Sequence, residues 1–148
     1  MTAVSIFAFF CILVFPIILT NGFSSGAPER VCGTLTPGHR DTEGQTSPSP
    51  YVVTVTKASI GQEDTIEVLI KSIDEQNAFK GFLAVVRSAD SNDDIPRGTF
   101  TSEDSTLAQV QDCLGYFNSS ATHVSGDDKT EVTLQWTPPP RDGHYKIL

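Results

Sequence analysis

The residues able to do chemistry in this 148-residue chain are few and mostly far apart. Cys11, Cys32 and Cys113 could supply thiolates or a disulfide, and His39, His123 and His144 could supply bases or metal ligands. Gly22-Phe23-Ser24-Ser25-Gly26 matches G-x-S-x-G letter for letter. A nucleophile elbow needs a strand before it and a helix after it, whereas this match follows an apolar leader beside a cleavage-like stretch, so hydrolysis through Ser24 is set aside as coincidence. The histidines show no helical or hairpin His-x-His spacing. A three-histidine site stays open, because His39 follows Cys32 and His123 follows Cys113, and a bridge between those cysteines would draw the imidazoles together. The plainer reading has each histidine hydrogen-bonding backbone. Asp90-Ser91-Asn92-Asp93-Asp94 places oxygens like the opening of a calcium loop, but the EF-hand pattern needs Gly sixth and Glu twelfth. Here those places hold Ile95 and Thr101, which leaves a solvated turn. Asn118-Ser119-Ser120 is an N-glycosylation acceptor, expected at a strand end on the surface. No catalytic constellation, metal or cofactor is expected.

The compartment follows from the first residues. Val4 to Leu19 carries no charge and is mostly Ile, Phe, Leu and Val, with Pro16 near its end and small residues after it. A spanning helix needs roughly 20 apolar residues. This shorter run predicts a secretory signal peptide over residues 1–22, cut after Gly22 or somewhat later, around Ala27-Pro28. An uncleaved anchor is the alternative, since the leader lacks Lys and Arg. Cleavage discards Cys11 and leaves Cys32 and Cys113, an even pair in an oxidising compartment, which reads as one disulfide. Closing a loop of about 80 residues would stabilise the fold by about 4–5 kcal/mol on the chain-entropy account. Metal ligation by the pair lacks a Cys-x-x-Cys spacing. No charged residue precedes Glu29, so the exported chain keeps the whole net charge of -8. That balance, with no basic stripe, argues against nucleic acid and anionic lipid as partners.

The elements that must hold these residues are strands. Phe82 to Val86 is apolar at every position, opened by Gly81 and closed by the polar stretch from Ser88 to Asp94, the pattern of a central strand buried on both faces. Before it, residues 23–50 are rich in Gly, Ser, Thr and Pro and predict an irregular arm pinned by Cys32. Tyr51 to Thr56 is a first strand, and Thr65 to Ile73 a second with Ile66, Val68 and Ile70 inward. Gly98-Thr99-Phe100 is a short strand, Thr101 to Gln111 a polar stretch, and Cys113-Leu114-Gly115-Tyr116-Phe117 another strand. Lys129 to Thr137 alternates most cleanly, with Val132, Leu134 and Trp136 inward before Pro138. Trp136 and Phe82 are expected in the core rather than on a ligand platform. The whole predicts one all-β domain over residues 23–148, an antiparallel β-sandwich. Its carboxyl end, Gly143 to Leu148, begins a further strand and stops, which predicts a sandwich lacking its last strand, with an open edge.

Taken in order, Gly26-Ala27-Pro28, Cys32-Gly33, Pro37-Gly38-His39, Ser49-Pro50-Tyr51, Phe79-Lys80-Gly81-Phe82-Leu83, Gly98-Thr99-Phe100, Cys113, Thr122-His123 and Val132-Thr133-Leu134-Gln135-Trp136 before Pro138 resemble the reeler domain. The chain is most similar to small secreted insect defence proteins made of that module alone. Leu35 stands where the family usually has Met. Family members also continue past the tryptophan strand, so Leu148 marks a fragment, a splice variant or a misplaced end. The resemblance implies an immunoglobulin-like sandwich, a Cys32–Cys113 disulfide, secretion, and a non-enzymatic role in innate immunity through microbial surface polymers or host cell surfaces. It equally admits the extracytoplasmic module of a ferric-chelate reductase, whose haem-bearing membrane part is a separate domain, or of a matrix or adhesion protein. Fold alone does not choose between them.

Overall fold

A computed structural model describes residues 23–38, 44–62, 64–74 and 76–148. The expected signal peptide, Gly22 and His39 lie outside those residues. Eight strands follow one 3-10 turn at Glu29–Val31: β1 Tyr51–Val55, β2 Ile66–Ser72, β3 Leu83–Ser88, β4 Thr99–Thr101, β5 Ala108–Cys113, β6 Tyr116–His123, β7 Glu131–Thr137 and β8 Tyr145–Ile147. They form two four-stranded sheets, ordered β1-β2-β7-β4 and β5-β6-β3-β8, and all their pairings are antiparallel. This is the expected β-sandwich. The core between the sheets gathers Ile66 and Val68 from β2, Ala84 and Val86 from β3, Phe100 from β4, and Val132, Leu134 and Trp136 from β7. The period-2 alternation read in β2 and β7 is the one observed.

β3 sits inside its sheet and is buried on both faces, for two different reasons. Its even-numbered residues Ala84 and Val86 face the other sheet. Its odd-numbered face is covered by the amino-terminal arm, where Val85 packs with Cys32 and Cys113, flanked by Leu35 and Leu83. The arm therefore acts as a third layer over one strand. Gly81 leaves room for the His123 ring of β6, since a Cβ there would stand 2.8 Å from its Cε1.

Two expectations need correction between residues 101 and 123. The stretch expected to be merely polar contains β5, whose Gln109, Gln111 and Asp112 disguise a strand that buries Ala108 and Cys113. Cys113 to Phe117 is not one strand but the corner of the β5–β6 hairpin. Leu114 (φ 52) and Gly115 (φ 79) both take the left-handed backbone that a two-residue I′-type turn demands. At the other end, Tyr145–Ile147 does form a strand and pairs with β3 in the register Val86↔Ile147.

The sandwich closes unevenly. β4 lies against β5 and β6 on one side. On the other, the edges β1 and β8 flank a cleft of about 610 Å³ that reaches the core residues Ile66, Val86 and Trp136.

A candidate recognition groove beside the disulfide-tied arm

The Cys32–Cys113 bridge is formed, with Cα atoms 5.8 Å apart, and both residues are fully buried. It joins the arm just after the 3-10 turn to the end of β5. Arg87 completes the attachment from the covered face of β3. Its guanidinium donates to Cys32 O (3.1 Å), to Gly33 O (2.6 Å) and to Asp94 Oδ1 (2.8 Å). An arginine ending an apolar run reads in sequence as the point where a strand leaves the core. Here the arm's carbonyls give it partners and it is 8% exposed, which no local pattern announces.

The first residues of the arm are held separately. Ala27 N–H donates to Thr122 Oγ1 (2.9 Å), Gln109 Nε2 to Ser25 O (2.6 Å), and His123 Nε2 lies 2.9 Å from Phe23 O. His123 Nδ1 lies 3.2 Å from Phe82 N. The network fits the tautomer in which Nε2–H donates to Phe23 and Nδ1 accepts from Phe82. Backbone bonding near the arm is thus the role of His123, as the plainer reading had it. Ser24 occupies a turn of the arm, without the strand and helix of a nucleophile elbow, and His123 has both nitrogens engaged by backbone. His144 is elsewhere, its Nδ1 3.0 Å from Asp90 Oδ1.

Between the arm and the approach to β3 runs a groove of about 520 Å³, walled by Phe23, Pro28, Leu35, Phe82 and Leu83. Two cations stand at it. Arg30 places its guanidinium 5.1 Å from the centre of the Phe23 ring, a cation–π contact. Lys80 is 3.9 Å from Asp128, with both side chains well exposed, a separation at which water screens most of the attraction. Lys129, below, is a stitch rather than a ligand group. The residue is 3% exposed, and its ammonium donates to Lys80 O, Ser125 O and Asp127 O at 3.0, 2.7 and 2.8 Å. Sequence reasoning missed Arg87 because its carbonyl acceptors lie more than fifty residues away, and Lys129 because its ammonium joins two carbonyls of its own turn to the distant Lys80 O.

The acidic loop turns its carboxylates to partners within the chain. Asp93 accepts from Arg97 Nη2 at 3.1 and 2.9 Å, and Asp94 pairs with Arg87. Hydrogen bonds from the His144 backbone and ring hold Asp90 below the usual carboxylate pKa, and the Ser91 hydroxyl does so first for Asp93. Among the described residues no three His, Cys, Asp or Glu side chains gather as metal ligands. Trp136 is in the core, with its indole N–H donating to Arg97 O (3.0 Å), while Phe82 is half-buried and borders the groove. Asn118 stands third in β6 rather than at a strand end, at φ 47, with its backbone N–H on Asp112 Oδ1 (2.9 Å). Phe117 beside it is 73% exposed.

Comparison with known proteins places this architecture. A chain from Bombyx mori named "Putative defense protein" is 33% identical over 142 residues, covering 90% of this chain and 80% of that protein. "Putative ferric-chelate reductase 1 homolog" of Drosophila melanogaster is 30% identical over 116 residues, covering 77% of this chain but 18% of that protein. Among solved structures, the human F-spondin reeler domain (fragment 2) superposes with a TM-score of 0.57 at 15% identity, over 73% of this chain and 79% of that one. Among the described residues no helix is long and apolar enough to cross a membrane. With the Reeler domain family model matching residues 30–148, the disulfide-tied arm and the two four-stranded sheets are those of a member, and the chain belongs to the reeler domain family.

Proposed function

We propose that this chain is a secreted, non-enzymatic recognition protein of innate defence that binds microbial surface polymers or cell surfaces through the groove between its arm and β3. The observation that carries the reading is the match to insect proteins named as defense proteins, at 33% and 31% identity over 90% of this chain. The groove supports it chemically. In a molecule of net charge -8, Arg30 and Lys80 both line this largely apolar groove, which suits a polymer carrying anionic groups on a less polar backbone.

Secreted protein incubated with immobilised lipopolysaccharide, β-glucan and whole bacteria is expected to be retained on at least one. The double variant Arg30→Glu, Lys80→Glu should weaken retention by roughly tenfold, about 1.4 kcal/mol. No retention of the wild type on any support overturns the reading. The second reading, an extracytoplasmic module of a reductase or a matrix protein, draws on the 30% identity to the reductases. A reading frame continuing past Leu148 into membrane helices would favour it. Secretion also makes Asn118 a glycan site. Treatment with a peptide-N-glycosidase should shift the mobility of the secreted wild type, and Asn118→Gln should abolish the shift.

A further inference from the structure

Among the described residues no strand pairs with the outer edge of β1. The phase of the β1–β2 ladder decides which backbone groups are free. Thr56 N–H donates to Glu67 O and Ile73 N–H to Pro50 O, so the even-numbered residues of β1 bond to β2. The odd-numbered ones turn their N–H and C=O away from the sheet. Tyr51 is already satisfied there, because Ser49 Oγ accepts from its N–H (3.1 Å) and donates to its C=O (3.1 Å). Val53 and Val55 remain, with side chains lining the cleft between the sheets. Val53 is 52% exposed, and Tyr51, Val52 and Val55 are exposed as well.

Charge selects the occupant. Gly44 to Thr56 holds no charged residue, in a molecule of net charge -8 that would otherwise repel its own copy. The edge across the cleft, β8, is three residues long with Lys146 at its centre, which disfavours it as a template. We propose that two copies associate through β1, antiparallel about a two-fold axis at Thr54. In that register Val53 exchanges both hydrogen bonds with the partner's Val55, and Val55 with the partner's Val53. Thr54 meets the partner's Thr54 as a close, non-hydrogen-bonded pair. Lys57 falls opposite the partner's Tyr51, an aromatic face for a cation. The contact is isologous and closes at two copies. One strand pair is smaller than a stable interface requires, so the dimer is concentration-dependent.

Sedimentation of the secreted protein tests this. The wild type should shift from monomer to dimer as concentration rises toward ~1 mM, the weakest range of specific association. Val53→Pro removes an N–H that β2 does not use, so it should leave a folded monomer, checked by near-ultraviolet circular dichroism. Thr54→Cys should form an intermolecular disulfide on mild oxidation, since close antiparallel pairs lie about 4.5 Å apart at Cα, within disulfide range. Val52→Cys should not, because its opposite number is the partner's Thr56. A monomer at every concentration, the result if another strand of the same polypeptide closes the cleft, overturns the proposal. So does a dimer that survives Val53→Pro without cross-linking at Thr54.

Discussion

Arg87 is the residue on which the arm's attachment turns most directly. Its side chain is 10% exposed, and it reaches two carbonyls of the arm as well as Asp94. Hydrogen bonds involving a charged group contribute about 1.5–3 kcal/mol each, and a buried acceptor left alone costs more than the bond was worth. Arg87→Ala should therefore lower unfolding stability by roughly 3 kcal/mol in urea titrations with the disulfide intact. Arg87→Lys should recover only part of it, because an ammonium cannot span the fork of Cys32 O, Gly33 O and Asp94. Nothing in the local sequence distinguishes this arginine from an ordinary strand end. The inward row Val132, Leu134 and Trp136 is different, because alternation is a local property and burial follows it directly.

At the scale of elements, β3 shows how a central position can be legible while its cause is not. An apolar residue at every place from Phe82 to Val86 signals cover on both faces, and β3 has it. That one cover is another sheet and the other is an irregular arm depends on where Cys32 and Cys113 meet. β5 escaped notice because a strand in contact with water on one face carries glutamines as readily as a loop does. The hairpin corner at Leu114-Gly115 was obscured by the opposite error, since its apolar residues look strand-like although their backbone is left-handed. The groove was not legible at all. Its walls come from residues 23–38 and 80–83 with His123 and Gly126, which no sequence spacing brings together.

For the molecule as a whole, the disulfide closes a loop across 81 positions and fastens a layer with little secondary structure of its own. Replacing both cysteines by serine should cost about 4–5 kcal/mol, measured as the shift in urea midpoint times slope. The main core between the sheets would survive, so far-ultraviolet circular dichroism should change little while a dye specific for apolar surface reports the uncovered outside of β3. Phe23, Ser25 and Ala27 are the first described contacts of the chain with this body, each through one backbone atom. Under the proposed secretion, the peptide bond at which a leader is removed would decide the shape of the proposed groove. A cut at Gly22–Phe23 would leave an aromatic lip with a fresh ammonium beside it. A cut beyond Ala27 would leave the same sheets with a blunted mouth, so two maturation products of one gene would differ in what they can hold.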